Sequence, residues 1–521
     1  MTLEVPIVIT FVVLILAIAA FVSGRIPVGL VALGVTLALF FTGVVTFEQA
    51  IAGFGDPVVV YIAALFVVSE ALDATGVTTW AGQQVTKRAG KKLTMVLVWM
   101  MLLVAVVTAL ISVNGAVAAL IPVGVVLAMR IGRPPSQLLM PLAFASHAGS
   151  MLTLTGTPVN VLVNELAMDA GARPFGFFEF AIVGLPLLAG TIVIVILLAP
   201  RVLPSREAEH AARDLSQHAE TLALQYSLTA DDARIDRTDG LTEVVIPPRS
   251  PFIGDTVFPG MRTESDELVI VAIQRGGDDV AKTTLRAGDL LLLRGTWDAL
   301  DTHAADPGVV VIDAPPTIRR QAVALGQRSI VAIVVLVAMV VLLATGLVPA
   351  AIAALAAAGA MVLLRALSVR QAHRSISITT LLLVAGMIPL STAIQTSGAA
   401  DLMSDGILVL LGDAGPIPLL LGIVLVVAIL GQFISNMATV LIVAPIAMTV
   451  AETTGYSPLP LLMGIAVAGA ASFLTPVATP ANTMIMGPGA YKFGDYWKLG
   501  LPILVLFVAV AVLLVPVVWP F

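Results

Sequence analysis

The sequence predicts an all-α polytopic membrane protein, built as an inverted repeat with two re-entrant helical hairpins and carrying a small cytoplasmic α+β domain. Three observations predict this fold class. Of the 521 residues, 59% are hydrophobic and only 12% are charged, whereas a soluble domain has about 25% charged residues. One set of polar motifs occurs twice along the chain. Most of the charges lie between the two copies, in residues 200–328.

The apolar runs are long enough to be membrane helices, because about 20 apolar residues cross the hydrocarbon core as a helix. The first run has no basic segment before it, which favours an uncleaved membrane helix over a signal peptide. The chain has no cysteine, which excludes disulfides and cysteine-ligated metal sites. The runs lie near 5–23, 26–43, 57–76, 93–130, 138–163, 180–199, 329–345, 348–364, 379–397, 416–450, 460–486 and 499–519.

Positive charge predicts the orientation, because cytoplasmic loops of membrane proteins are rich in Lys and Arg. Basic residues follow the first, third, fourth, sixth and eighth runs and precede the last, while the opposite loops are mainly acidic. The pattern predicts a multi-pass protein of the cytoplasmic (inner) membrane, with residues 201–328 in the cytoplasm. The net charge of −6 says little about partners, and no nucleic-acid partner is expected.

Two runs, 93–130 and 416–450, must each return to the side from which they entered. Each could be a tight pair of full spans or a re-entrant helical hairpin. Each is broken near its middle, at Asn114–Gly115 and at Ser435–Asn436. Non-helical backbone at membrane depth is tolerated where protein or a water-filled cavity satisfies it. We therefore favour re-entrant hairpins with these residues at their tips.

Residues 201–328 predict a linker and a small α+β domain, with a core at about 227–313, between membrane parts 1–200 and 329–521. An amphipathic helix or linker is expected over 210–223. Short β-rich runs with Gly and Pro between them predict strands. These strands are expected over 243–246, 267–274 and 289–293.

The repeat has a constant spacing of 322 residues. The motif Thr-Pro-x-Asn occurs at 157–160 and again at 479–482. In the predicted topology the two copies run in opposite directions, so the repeat is inverted. Inverted repeats with interrupted helices are typical of secondary transporters, whose site lies at the repeat interface near the midplane. The same spacing relates Ser150 to Ser472, Asn114 to Asn436, Gly76 to Gly398 and Ser69 to Ser391.

Each Thr-Pro-x-Asn segment predicts a broken membrane helix, because proline removes an amide donor and Gly156 loosens the turn before it. Freed carbonyls with Ser and Thr hydroxyls suit a small cation such as sodium. Helix N-termini and Asn amides suit an anion. The repeated segments and hairpin tips predict binding residues at Asn114, Thr157, Pro158, Asn160, Asn436, Thr475, Thr479, Pro480 and Asn482.

Each of these residues also has a purely structural interpretation. A proline or glycine in a membrane helix is often only a kink, and a lone asparagine often joins two helices. Recurrence at a fixed spacing favours a site. His147 could be a proton relay, but a packed or pore-lining imidazole is the favoured interpretation. Glu70 and Asp73 could be functional carboxylates, but their repeat mates are not acidic, which favours an interfacial or structural role.

At these residues the chain resembles the divalent anion/sodium symporter family of the ion transporter superfamily. The resemblance covers nearly the whole membrane part, and the segments 435–439 and 475–484 carry it most specifically. It implies binding residues at both hairpin tips and both breaks, and a homodimer that works by an elevator-like motion. The further residues implied are Ser112, Gly115, Thr155, Ser435, Met437 and Ala478. Sodium sites are implied at Asn114, Gly156, Asn436 and Ala478.

The chain departs from the family pattern at its hairpin tips. The family threonine is replaced by Gly115 in the first tip and by Met437 in the second, and the first serine by Val113. The hydroxyls that would contact a carboxylate are absent at these positions, so a sulfate-like oxyanion is expected as readily as a dicarboxylate. The inserted segment resembles the TrkA C-terminal domain of potassium-transport regulators, through letters such as those at 250–254 and 285–289. That resemblance implies a regulatory domain, with or without a small-molecule ligand.

The expected function is secondary active transport of a divalent or related anion, with sodium as the coupling ion and no other cofactor. Alternatives on the same scaffold are a sodium/proton antiporter and an arsenite-type exporter. A ligand-gated channel is a third alternative, suggested by the TrkA-like segment. An enzyme is not expected, because no nucleophile–His–carboxylate set or metal-ligand cluster falls at the motifs.

Overall fold

A computed structural model of the chain consists mainly of helices, with one small sheet region. Among the residues it describes, eight helices are long and apolar enough to cross a membrane, and five shorter helices are apolar. The predicted polytopic helical fold with a small sheet region is thereby confirmed. The expected helix at 210–223 lies outside the described residues. The structure describes residues 4–23, 25–88, 90, 92–206, 226, 239–263, 265–303, 306–312, 327–411 and 415–521.

The chain divides into two compact units. The larger unit consists of Met1–Asp73, Ala81–Ala211 and Gln327–Phe521, and the smaller one of Ala74–Trp80 and Ala212–Gly326. Within the described residues, ten α-helices precede the sheets. The series is α1 Val5–Ser23, α2 Val28–Phe41, α3 Phe47–Ala52, α4 Pro57–Ala74, α5 Val77–Arg88, α6 Leu93–Leu110, α7 Val113–Arg130, α8 Leu139–Gly149, α9 Pro158–Asp169 and α10 Ala181–Val202. All of these helices lie in the larger unit except the end of α4 and the start of α5.

The smaller unit contains the sheets. Five strands form an antiparallel sheet in the order β4-β3-β6-β1-β7, and β2 pairs with β5. The three predicted strands correspond to β1, β3 and β6. Alternate residues such as Val244 and Leu293 pack with Trp297 in its core. The elements are β1 Asp239–Val245, β2 Thr256–Val257, β3 Leu268–Arg275, β4 Asp278–Asp279, β5 Thr283–Thr284, β6 Leu290–Thr296, α11 Trp297–His303 and β7 Val310–Val311.

An ion pair fixes the turn before β6. The Arg275 guanidinium lies 2.7 Å from the carboxylate of Asp289, whose side chain is almost fully buried. The hydrogen bonds from Arg275 hold the pKa of Asp289 below its usual value, against the opposing effect of burial.

The second half of the membrane unit repeats the first, helix by helix. The bounds of α12 and α13 are those of α1 and α2 plus 322, and α15 follows α4 to within one residue. The repeat therefore extends over the full series of helices, well beyond the motifs visible in the sequence. The series is α12 Gln327–Thr345, α13 Ala350–Leu363, α14 Val369–Ser375, α15 Ile378–Thr396, α16 Ala399–Leu411, α17 Pro416–Leu430, α18 Asn436–Thr454, α19 Pro458–Gly469, α20 Pro480–Met486, α21 Tyr496–Ala509 and α22 Val515–Val518.

Local sequence signals repeat with the helices. Thr46 caps α3 and Ser368 caps α14, and each belongs to a capping box with a Gln three residues later. Gly76 and Gly398 have φ values of +80° and +81°, which residues with a side chain rarely adopt. Equivalent turns in the two halves are thus built by equivalent residues.

Each long apolar run folds as two helices joined by a short break. The break of the second hairpin occupies residues 431–435, immediately before Asn436, as predicted. The predicted break of the first hairpin was wrong by two residues, because Asn114 and Gly115 lie inside the first turn of α7. The cause is Ser112, whose side chain caps that turn by accepting a hydrogen bond from the Gly115 N–H at 3.2 Å.

The two halves contact each other reciprocally. Helix α8 packs against α20, and its repeat mate α19 packs against α9. Likewise α7 packs against α20, and its mate α18 packs against α9. Reciprocity of this kind is what a two-fold relation between the halves requires. Every residue of α8 is buried, so the elements that flank the Thr-Pro-x-Asn segments lie in the core of the unit.

Candidate functional site: two mirrored helix breaks

The first break lies between α8 and α9. Residues 150–152 and 154–156 form two short 3₁₀ turns, and the backbone is extended at Thr153 and Thr157. Pro158 is the first residue of α9, where a missing N–H costs nothing. Pro158 therefore starts the second helix. The sequence had suggested that it interrupts the first helix, which it does not.

Gly156 serves close packing within this break. A Cβ atom at this position would overlap the carbonyl oxygen of Ser150. The glycine is thus required because two stretches of backbone touch. Its predicted role, loosening the turn, does not account for this contact.

Asn160 closes the first break. Its side-chain nitrogen donates to the carbonyl oxygens of Ser150 at 3.0 Å and Thr153 at 2.9 Å. The side chain is fully buried, and its Oδ1 has no hydrogen-bond partner among the described residues. A buried acceptor without a partner is costly and uncommon. Asn160 thus satisfies two freed carbonyls and leaves its own oxygen available inside the protein.

The first break is also tied to the hairpin. The hydroxyls of Thr153 and Thr155 both donate to the carbonyl oxygen of Ala109, and the Thr155 bond is 3.1 Å long. Ala109 lies in the last turn of α6, where carbonyls have no partner within the helix. Two hydroxyls from the break therefore satisfy a helix end at the hairpin tip.

The second break reproduces this geometry 322 residues later. The Asn482 side-chain nitrogen donates to the carbonyl oxygens of Ser472 at 2.8 Å and Thr475 at 3.1 Å. Asn482 Oδ1 is buried and makes no hydrogen bond of ordinary length among the described residues, as in the first break, but the buried His147 side chain lies close enough to interact with Asn482. Thr479 caps α20 by accepting from the Asn482 N–H, and Pro480 is again the first residue of its helix. Ala478, just before the cap, is buried.

The second break makes closer contact with its hairpin tip than the first. Ser472 Oγ donates to Asn436 Oδ1 at 2.6 Å, and Thr475 Oγ1 donates to the carbonyl oxygen of Gln432 at 2.8 Å. Asn114, the mate of Asn436, is exposed. No side-chain hydrogen bond from Asn114 occurs within the described part of the chain. The structure therefore brings together a tip and a break in the second half but not at Asn114 in the first.

The remaining tip residues begin the second helix of each hairpin. Ser435 caps α18 by accepting from the Ala438 N–H at 3.3 Å, as Ser112 caps α7. Met437 is buried in the first turn of α18. Both helices present their N-terminal ends at the tips, which carry a partial positive charge and suit an anion.

His147 joins the two halves and has no equivalent in the second repeat. The residue is buried in α8, and its Nε2 lies 3.3 Å from Thr479 Oγ1 in the other half. Its ring packs edge-on against Phe473 at a centroid distance of 5.5 Å. Its mate is Gly469. The His147 imidazole thus contacts residues of the second break, and because glycine stands at the equivalent position of the other half, the two breaks are chemically unequal.

Sequence reasoning missed two polar residues of the second break. The Gln432 side chain donates to the carbonyl oxygen of Ala471 and accepts from the Leu474 N–H, each at 2.9 Å. Tyr496 donates to the carbonyl oxygen of Asn482 at 2.7 Å. Gln432 is a lone amide in an apolar hairpin, and that signal could have identified it. The Glu70 and Asp73 side chains lie half-buried on α4.

A membrane unit of two repeated halves, with broken helices meeting in its core, is typical of secondary transporters. The model of the citrate transporter family, CitMHS, matches residues 12–454 and 408–521. The chain belongs to this family. It is therefore a multi-pass membrane transporter rather than an enzyme.

Individual relatives agree with this assignment. The chain is 31% identical to the uncharacterized transporter YfbS of Escherichia coli (strain K12), over 97% of this chain and 98% of the relative. It is 25% identical to the probable sodium/sulfate cotransporter 3 of Chlamydomonas reinhardtii, over 53% of this chain and 29% of the relative. The crystal structure of the Alcanivorax borkumensis YdaH transporter has a similar fold. Its TM-score is 0.52 at 16% identity, with 91% of this chain and 88% of the other covered.

Proposed function

We propose that the chain imports a divalent or related anion, either a sulfate-like oxyanion or a dicarboxylate, in symport with sodium. The observation that carries this proposal is the pair of buried Asn side chains, Asn160 and Asn482, each with an unpartnered Oδ1 beside a helix break. That anions are carried at all follows from the family, whose described substrate is citrate.

The donor set at each break fits a sodium ion. A hard cation of low charge, such as sodium, can be bound by neutral oxygens from carbonyl, carboxamide and hydroxyl groups. Each break supplies backbone carbonyls, threonine hydroxyls and one buried carboxamide oxygen. The residues proposed to hold sodium are Asn114, Gly156 and Asn160 in the first half, and Asn436, Ala478 and Asn482 in the second. A bound sodium would supply positive charge next to the anion.

The anion is proposed to lie at the hairpin tips. Helices α7 and α18 both begin there, so their free N–H groups and dipoles attract negative charge. No Lys or Arg belongs to either tip or either break. Binding would therefore depend on dipoles, amides and co-bound sodium. The name of the Chlamydomonas relative supports sodium coupling and sulfate, whereas the family description supports a carboxylate.

The test is uptake by proteoliposomes of labelled sulfate, succinate and citrate, each with and without an inward sodium gradient. We expect one of the anions to accumulate only with the sodium gradient, and Asn114→Ala and Asn436→Ala to abolish that accumulation. A folded wild-type protein that accumulates none of the three anions would contradict the proposal. Exchange of protons for sodium in the same vesicles would instead identify an antiporter, and uncoupled conductance would identify a channel.

Homodimer formation, a cytoplasmic position of the sheet unit and a small-molecule ligand for it are further parts of the proposal. The homodimer and the regulatory role rest on the resemblances described above, and the cytoplasmic position on the distribution of Lys and Arg.

A further inference from the structure

Ser69, on α4, lies against the first hairpin tip. A Cβ atom added at Gly115 would be 3.0 Å from Ser69 Oγ and 3.2 Å from Ser112 Oγ. Both hydroxyl oxygens thus border the space that a side chain at position 115 would occupy. A residue on a helix outside the hairpin therefore places a hydroxyl where the tip itself has only a glycine.

The Ser69 hydroxyl is not used to hold the helix together. A serine within a helix commonly donates to the carbonyl four residues earlier, as Thr392 does on α15. No side-chain hydrogen bond from Ser69 occurs in the described part of the chain, and the residue is only half-buried. Its hydroxyl remains able to donate to a molecule at the tip.

Ser391 stands at the position equivalent to Ser69, 322 residues later. Ser391 lies on α15, the repeat mate of α4, and α15 packs against α18, which begins at the second tip. Ser391 is also half-buried, and the described residues show no hydrogen bond from its side chain. Apolar residues would satisfy helix packing at both positions. Serine at equivalent positions of two helices that pack against the hairpins indicates a shared role.

We propose that Ser69 and Ser391 are specificity-determining residues that donate hydrogen bonds to the transported anion. The inference rests on the proposed function, since it assigns further contacts to the same anion site. An anion with several oxygens requires several donors, and the tips carry no basic side chain. Ser112 and Ser435 accept capping bonds from backbone N–H groups and can each donate only one hydrogen bond. Hydroxyls on α4 and α15 would extend the donor set from outside the hairpins.

The test moves the hydroxyl from one helix to the other. Ser69→Ala should raise the KM for the anion roughly three- to tenfold, as loss of one hydrogen bond does, with little change in maximal rate. Gly115→Ser alone should impair transport, because its Cβ crowds Ser69 Oγ. The double variant Ser69→Ala with Gly115→Ser restores a hydroxyl nearby and removes the shortest of the three close contacts, leaving those with Ile111 and Ser112 at 3.2 Å, and should return the KM toward the wild-type value.

The matched control is Ser69→Ala with Gly115→Ala, which relieves the contact with Ser69 Oγ to the same extent but supplies no hydroxyl, and should keep the raised KM. If this control restores transport as well as the serine version does, the contact is packing and the inference is wrong. An unchanged KM in folded Ser69→Ala protein would overturn it equally. Both results leave the proposed function intact, whereas absence of anion uptake by the wild-type protein removes both.

Discussion

At the scale of single residues, the two buried asparagines each perform two tasks with one side chain. Asn160 and Asn482 each satisfy two carbonyls with one side-chain nitrogen and leave one oxygen buried without a partner in the described structure. Both were predicted as site residues from the Thr-Pro-x-Asn repeat. The sequence did not predict which carbonyls they contact, because those acceptors are backbone atoms, which any residue at those positions would supply.

Asn160→Leu tests this division of roles. The substitution leaves two carbonyls without donors inside the protein, which should lower the free energy of unfolding by about 1–3 kcal/mol. It should also abolish sodium-dependent uptake. Melting in detergent and uptake in vesicles measure the two effects separately.

Asn164 is the matched control for Asn160. It lies one turn later on α9, and its Oδ1 already accepts from the Phe175 N–H at 2.6 Å. Asn164→Leu should lower stability but leave the sodium dependence of uptake unchanged. If both variants alter the sodium dependence equally, Asn160 has no special part in cation binding.

At the scale of elements, the sequence predicted which helices are broken better than where the breaks fall. The first hairpin break precedes the predicted position because Ser112 caps α7, and asparagine and glycine are tolerated in the first turn of a helix. Pro158 and Pro480 begin helices although they suggested interruptions. In both cases the local capping geometry sets the helix boundary, and the unusual residue indicates only that a boundary is near.

Gly156→Ala tests the close contact inside the first break. A methyl group there overlaps the Ser150 carbonyl, so the break must open, at a cost of about 1–3 kcal/mol, and uptake should fall with stability. Gly34→Ala on α2 is the control, because no atom lies within 4 Å of its added Cβ. That change should raise stability by about 0.5–1 kcal/mol. Equal melting temperatures for the two variants would contradict the assigned role of Gly156.

At the scale of the whole molecule, the repeat is much longer than the sequence reveals. Helices α1 and α12 have bounds exactly one repeat apart, yet their letters are mostly interchangeable apolar residues, such as those of Val5–Ser23. Exposed membrane helices need hydrophobicity more than particular side chains, so structure persists there without identity. At the breaks, by contrast, the polar residues that recur make atom-specific contacts.

The last part of the first half is also held to the second half. Ser136 Oγ donates to the carbonyl oxygen of Pro204 at 2.6 Å, and Arg206 forms a 2.6 Å ion pair with Asp495. The Tyr491 hydroxyl donates to the Ser136 carbonyl oxygen, which joins the same region to the loop before α21. The chain is thus fastened to both halves of the membrane unit just before residue 207. These contacts join residues some 70 to 350 positions apart, so no local sequence pattern could have predicted them.

The most direct test of two mirrored cation sites is the dependence of anion uptake on sodium concentration, in wild-type protein and in Asn160→Leu and Asn482→Leu. Two sites predict a wild-type dependence steeper than first order, and loss of that steepness or of uptake in each single variant. Uptake that does not depend on sodium, or variants with the wild-type dependence, would show that the mirrored breaks do not bind the coupling ion.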